Sequence, residues 1–371
     1  MASPLPVIVV EDDRFLRLVQ IILDPGTPTE RLSAFTHFMA HDEPDFRGWC
    51  QRLRARLGKT YPAEVRLVAD QGDLHSNLSG ADLVIVESLP IGEKEIAAAN
   101  GSLQIVQKYG TIASRIDAAA CQRAGVRLLT IRRRANIATA EHAFALILAL
   151  ARKIIDTANL ISVTQLRSAG YSPTHFDKNQ TPNGNWARIN RLRTLYQQQL
   201  GVMGFGEIGR EVAQRAAAFG MRVVYWQRHR LDTDLEHRYQ VNYCSLDELL
   251  ATSDCISLHL PGGEGTQGII GRRELGIIKP GALLINVSQP QLIDRAALIQ
   301  ALAAGRLSGF GLDTFYDEPG QAHDPLLGFR NVLITPHLAG SPRINALGDF
   351  EEMLINIDQV LSEKSEHQPS S

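Results

Sequence analysis

The chain of 371 residues lacks the marks of several protein classes. Its four cysteines, Cys50, Cys121, Cys244 and Cys255, show neither CxxC spacing nor the density of a disulfide scaffold. That usage argues for buried thiols in a reducing compartment. Charge of one sign is not in excess, since the formal net charge is −2. A broad basic surface, of the kind that selects nucleic acid or anionic membranes, is therefore not expected. The longest apolar run, AFALILALA at 143–151, is bounded by Glu141, His142, Arg152 and Lys153. It falls well short of the roughly 20 residues that cross a bilayer, and reads as a buried helix. The opening MASPLPVIVVEDD has no basic segment before a long apolar core, so no signal peptide is expected and a cytoplasmic location is. No metal is expected either.

What is present is the composition of an ordinary globular protein, 44% hydrophobic and 21% charged. This length exceeds what one core usually supports, so two domains are expected. The first third alternates apolar runs with helical stretches: PVIVV at 6–10, VRLVA at 65–69, DLVIVES at 82–88, LQIVQKYG at 103–110 and VRLLTI at 126–131. Such alternation builds a parallel sheet covered by helices. Asp12 and Asp13 read as the polar end of the first strand, because the other residues of a phosphorelay receiver have no convincing counterpart. A long helix is predicted over 136–160. The polar stretch 162–199 then reads as an arm suited to a partner subunit.

From Leu200 the alternation restarts in LGVMGFG, MRVVYWQ, CISLHLP, ALLINV, SGFGLDTF and NVLITPH. This is the pattern of a doubly wound domain. The final helix, predicted over 342–361 and followed by the polar tail SEKSEHQPSS, cannot form a domain alone and should pack back on the first sheet. The expected fold is α/β with two doubly wound domains. A Rossmann cofactor domain spans 135–336, and a discontinuous flavodoxin-like substrate domain spans 1–134 and 337–371.

The segment GVMGFGEIGREVAQRAAAFG places Gly204, Gly206 and Gly209 between a strand and a helix. The first permits a tight turn, the second lets a pyrophosphate approach the backbone, and the third lets helix and strand pack closely. Strand, glycines, helix and next strand together point to a dinucleotide. The second strand ends in YWQRHR, with Gln227 where an NAD site places a carboxylate, followed by Arg228, His229 and Arg230. A guanidinium suits a 2′-phosphate and a carboxylate repels it, so NADP(H) is favoured over NAD(H). A solvated turn in an NAD enzyme is the other reading of these residues.

Over 103–340 the chain resembles the D-isomer-specific 2-hydroxyacid dehydrogenases. The segments QKYGTIASRID, AEHAFALILALARK, LGVMGFGEIGRE, SDCISLHLP, IIKPGALLINVS, GFGLDTFYDEP and NVLITPHLAG follow the family order. The resemblance implies hydride transfer between a nicotinamide and a small carbonyl or hydroxy substrate, with a histidine and its carboxylate partner handling the proton. These fall on His337 and Glu318. A carboxylate beside an imidazole favours its protonated form, as a ketone-reducing acid requires; a capping histidine is the structural alternative for His337. The resemblance also adds Glu207, Ile208, Leu260, Pro261 and Val287 to the cofactor contacts, and makes Asp313 the acid that holds the nicotinamide amide. It places the amides that bind the substrate carboxylate at Gly110, Thr111, Ile112, Ala113 and Ser114.

One position departs from the pattern. After INVS the family has its catalytic arginine and a glycine, where this chain has Gln289 and Pro290. Glutamine keeps an amide donor but loses the charge and the fork geometry. Pro290 supplies no N–H and fixes its own φ. Three functions fit. The chain is a reductase of a less charged substrate, or of one anchored by another cation such as Arg134 in the run Arg132, Arg133, Arg134. It is a redox-poor NADP(H)-binding regulator or scaffold. Or His337 and Glu318 serve a non-redox hydration or elimination. A homodimer is expected, through the helix from Asn136 and apolar or aromatic residues of the arm: Trp186, Leu192, Leu195 and Tyr196.

Overall fold

A computed structural model describes residues 4–174 and 177–366 of the chain. Its contacts divide it into two compact units, one of Met1–Ile137 with Gly340–Ser371 and the other of Ala138–Ala339.

The first unit is built on five parallel strands: β1 (Val7–Glu11), β2 (Glu64–Val68), β3 (Leu83–Val86), β4 (Ile105–Lys108) and β5 (Arg127–Thr130). Their order is β2-β1-β3-β4-β5, the flavodoxin-like arrangement. All four residues of β3 are buried, because helices cover both faces of a parallel sheet. Side chains alternate between the faces, so Ile8, Val10, Leu83 and Ile85 join one core and Val9, Val84 and Val86 the other. The helix Ile344–Glu366 lays Leu347, Phe350, Leu354, Ile357 and Leu361 on the first of these, at the three- and four-residue spacing of one helical face. Asp358 from that helix accepts the amides of Gly58 (3.0 Å), Lys59 (2.8 Å) and Thr60 (2.8 Å), so the terminal helix is tied by charge as well as packing. The helix runs into the polar segment read as a tail; the last part of that tail, 367–371, lies outside the described residues.

The second unit has seven parallel strands: β6 (Gln199–Met203), β7 (Arg222–Trp226), β8 (Val241–Tyr243), β9 (Cys255–Leu258), β10 (Ala282–Asn286), β11 (Leu307–Leu312) and β12 (Val332–Ile334). The order is β12-β11-β10-β9-β6-β7-β8. The order in which strands are added reverses between β6 and β9, and in such sheets ligands meet the carboxyl ends of the strands at that point.

Three features differ from the sequence reading. Strand β8 was not expected, because three residues at a sheet edge leave too short a pattern to detect. The helix predicted over 136–160 runs from Arg134 to Ala151 and stops. Lys153 has φ 52°, a left-handed conformation that cannot continue an α-helix, and a separate turn of helix follows at Ile154–Thr157. The arm contains a short helix, Val163–Ser168, opened by a reciprocal cap between Ser162 and Gln165. Of the arm residues expected at a dimer contact, Leu195 is buried in the unit's own core and Tyr196 is exposed.

The four cysteines are free and buried. Burial pushes the Cys50 and Cys244 thiols up to about 11 and that of Cys255 to about 12, which leaves them protonated and unreactive at neutral pH.

Candidate active site

The glycine turn follows β6 and opens the helix Glu207–Ala218. Gly204 has φ 93°, and a side chain there would strike the backbone oxygen of His259 at 2.5 Å. A Cβ on Gly209 would lie 2.2 Å from the oxygen of Gly204, so that glycine lets helix and turn meet. Gly206 caps the helix, and nothing lies within 4 Å of its missing side chain. Two glycines are therefore required by the fold, and the third leaves open space at a helix N-terminus, where a phosphate group fits. Glu207 and Ile208 start that helix, Leu260 and Pro261 follow β9, and buried Val287 follows β10. All of these lie at the carboxyl ends of the central strands.

Gln227 follows β7 and closes the turn from the side. Its Oε1 accepts the Phe205 amide at 3.2 Å and its Nε2 donates to the His229 carbonyl at 2.7 Å. Arg228 is exposed and leans on the 262–265 loop; its Nη2 is 2.7 Å from where a Cβ on Gly265 would stand. Arg230, read as a phosphate ligand alongside it, is paired in two places with Glu236, Nε to Oε1 at 2.9 Å and Nη2 to Oε2 at 2.8 Å. That carboxylate also accepts the Tyr225 hydroxyl at 2.7 Å, which fixes it in place. Arg228 and His229 make no ion pair among the described residues.

His337 stands two residues beyond β12's neighbour Thr335 with φ 57°, left-handed for a residue that is not glycine. Such a conformation costs roughly 1 to 2 kcal/mol and persists only where the surroundings impose it. Here Asp313 imposes it. Asp313 follows β11, is fully buried, and accepts the Leu338 amide at 2.8 Å, the Ala339 amide at 2.8 Å and the Thr335 hydroxyl at 2.7 Å. The Asp313 carbonyl accepts the amide of His337 itself at 2.9 Å. His142, from the helix Arg134–Ala151, places Nε2 at 2.9 Å from the Thr335 hydroxyl and 3.3 Å from Asp313 Oδ1. Burial alone would raise the Asp313 carboxyl, but the bonds from His142, Thr335, Leu338 and Ala339 outweigh it and bring its pKa to about 2.

On this turn the His337 ring is open to solvent, and its Nδ1 is 2.8 Å from Glu318 Oε2. Glu318 Oε1 accepts the Phe315 amide at 2.9 Å. Burial works to raise the Glu318 carboxyl, while the Phe315 amide and His337 more than offset it, so it is held below the usual carboxylate value. An ionised carboxylate only accepts, so Nδ1 carries a proton and Nε2 is left for proton exchange.

Gln289 also lies at a strand end, after β10. Its backbone oxygen accepts Asn286 Nδ2 at 2.9 Å, and Pro290 begins a single 3-10 turn, Pro290–Leu292. The side chain is exposed, packs over Gly262, and with Gly263, Thr266, Gln267 and Leu292 lines a pocket of about 340 Å³. In the first unit the segment Gly110, Thr111, Ile112 and Ala113 follows β4, with the Ile131 amide bonded to the Gly110 carbonyl at 3.0 Å. Arg134, read as an alternative substrate cation, is instead paired to Asp349 at 2.9 Å and to Glu352 at 2.7 Å. Arg133 lies over the Tyr109 ring at 4.3 Å and pairs with Glu87 at 2.6 Å.

Sequence reasoning missed His142, Thr335 and His259. The first two belong to segments quoted for the fold, AEHAFAL and LITPH, without any sign that they meet. His259 bonds Ser257 Oγ through Nε2 at 2.8 Å, and burial pushes its pKa down to about 3, so it is neutral behind the glycine turn.

The sequence pattern of the family described as "D-isomer specific 2-hydroxyacid dehydrogenase, NAD binding domain" matches residues 144–339. A glyoxylate reductase of Korarchaeum cryptofilum is 33% identical over 250 residues, 67% of this chain and 70% of that one. A D-3-phosphoglycerate dehydrogenase of Mycobacterium tuberculosis is 34% identical over 281 residues, covering 75% of this chain and 49% of its own length. Among solved structures, the TT0316 protein of Thermus thermophilus is 28% identical with a TM-score of 0.52, over 96% of this chain and 97% of that one. The chain belongs to the D-isomer-specific 2-hydroxyacid dehydrogenase family. These are oxidoreductases that act on a CH–OH group with a nicotinamide dinucleotide.

The Asp313 network has a measurable signature. The folded carboxyl titrates near 2 against 3.8 for an ordinary aspartate, so its contribution is complete above about pH 4 and is lost as pH falls towards 2. Urea unfolding across pH 2.5 to 7 should show about 2 kcal/mol of acid-labile stability that Asp313→Asn removes. An unchanged acid limb in the variant would mean that the carboxylate does not hold the turn.

Proposed function

We propose that the chain is an NADP(H)-dependent reductase of a small carbonyl compound that carries less charge, where it meets Gln289, than an ordinary 2-oxo acid. The observation that carries this is the pair of His337 and Glu318, kept in hydrogen-bond contact at 2.8 Å on a turn held by Asp313; Gln289, after β10, stands where the resemblance implies a cation. The second unit binds the dinucleotide at Gly204, Gly206 and Gly209. When bound, the nicotinamide supplies hydride chemistry. Glu318 orients the imidazole and keeps Nδ1 protonated; His337 Nε2 then donates a proton to the substrate oxygen as the alcohol forms. Gln289 offers an amide hydrogen bond in place of a bidentate charged contact, which suits a neutral group better than a carboxylate.

The preference for the phosphorylated dinucleotide rests on Arg228, since Arg230 is committed to Glu236 and Gln227 presents no carboxylate. Free buried thiols fit a cytoplasmic setting. Exposure of Ile161 (82%), just before the arm, and of Tyr196 (64%) within it supports a homodimer built on that segment.

Fluorescence titration tests the cofactor reading. NADPH should bind at least about tenfold tighter than NADH, equivalent to about 1.4 kcal/mol, and Arg228→Glu should abolish the difference. Equal affinities in the parent protein would remove the role given to Arg228.

Gln289→Arg tests the substrate reading, assayed against 2-oxo acids, aldehydes and neutral ketones. Activity of the parent protein on a neutral carbonyl should fall in the variant, because an unpaired cation now faces it. If the arginine were all that an oxo-acid reductase had lost, the change would instead raise glyoxylate reduction by about 30-fold or more. Retained NADPH affinity with no turnover by either protein would favour a binding module.

A further inference from the structure

The second sheet has a larger cavity at its opposite end. The glycine turn lies at the carboxyl end of β6, whereas this cavity is lined by Gly281, Leu307 and Val332, at the amino ends of β10, β11 and β12. A strand of five residues separates the two ends by roughly 17 Å. The cavity is therefore distinct from the dinucleotide turn and from His337. Its volume is about 620 Å³, within the range of small-ligand sites.

Its walls are of two kinds. Leu150, Leu283, Leu302 and Leu333 form an apolar floor. Around them stand Lys153, Arg191, Arg193 and Arg330, against the single acid Asp156 in the lining among the described residues. This concentration of positive charge occurs in a chain whose net charge is −2, so it does not follow from overall composition. Arg193 is fixed by the carbonyl of Gly281 at 2.8 Å and lies 3.7 Å from Asp254, and Arg330 donates to the Ala169 carbonyl at 3.2 Å. Lys153 and Arg191 pair with no carboxylate among the described residues, and both hold left-handed backbone, φ 52° and 55°. Like charges gathered around an apolar pocket repel one another, and an anion relieves that repulsion. Tyr171 lines the same cavity.

We propose that this cavity binds a small amphipathic anion, its carboxylate or phosphate held by Lys153, Arg191 and Arg330 and its apolar body laid on the leucine floor. A guanidinium pairs with either headgroup through two parallel hydrogen bonds, and the leucines reward a hydrocarbon body but not a bare ion.

Calorimetric and thermal-shift titrations of the full chain with octanoate, octyl phosphate, octanol and inorganic phosphate test this. One or both amphipathic anions should bind saturably with Kd below about 1 mM, and the two together show which headgroup is preferred; octanol and inorganic phosphate should bind at least about tenfold more weakly. Arg191→Glu and Lys153→Glu should each weaken the anion by about tenfold or more while NADPH affinity stays unchanged. Circular dichroism checks that the variants fold, and the milder Arg191→Gln should shift affinity in the same direction. Equal binding of octanol, or unchanged affinity in the variants, would overturn the proposal. So would an absence of anion binding combined with Arg191→Glu converting a dimer to a monomer in light scattering, since the cavity would then be a seat for a second copy.

Discussion

Asp313 keeps its charge where no solvent reaches it, and the geometry of the candidate acid–base pair depends on how that charge is satisfied. The donors come from distant parts of the second unit: a hydroxyl from Thr335, amides from Leu338 and Ala339, and a ring nitrogen from His142. Each removes part of the desolvation cost, and together they pin the turn between β12 and the return to the first unit. His337 is left in a backbone conformation that it would not adopt alone, with its ring directed to Glu318 and open to solvent. The strain of the turn and the burial of the carboxylate are two sides of one arrangement. Without the anion, the amides of Leu338 and Ala339 would lose this acceptor and the turn would lose its reason to form.

The glycine turn is organised by sterics rather than charge. Gly204 and Gly209 are demanded by backbone atoms that would collide with a side chain, and Gly206 by nothing within the protein. Gln227 continues the logic, bonding the turn and the following loop to itself without a carboxylate. Under the proposed function, the choice between dinucleotides falls to the exposed residues just beyond β7.

Much of this was legible in the chain. The alternation of apolar runs and helical stretches located eleven of the strands, because buried parallel strands are continuous in sequence and need no distant partner to be recognised. The family resemblance singled out His337, Glu318 and Gln289, and the structure brings the first two to 2.8 Å. What could not be read depends on partners far apart or on single backbone angles. His142, Asp313 and Thr335 meet across almost two hundred residues, and only the fold brings them together. Arg230 lies in a run of cations that reads as a phosphate site, yet Glu236 in the next helix takes it. Arg134 is likewise claimed by Asp349, from the terminal helix. The break at Lys153 sits in a sequence with no proline or glycine to announce it.

The account turns on His337 as the proton donor, and the most direct measurement is steady-state turnover of NADPH by His337→Asn on whichever carbonyl the parent protein reduces. A positioned general acid contributes about 100- to 10,000-fold, so kcat should fall by that factor while NADPH affinity is unchanged. Full turnover by the variant would contradict proton transfer by His337, and with it the reductase mechanism built on the Asp313 turn.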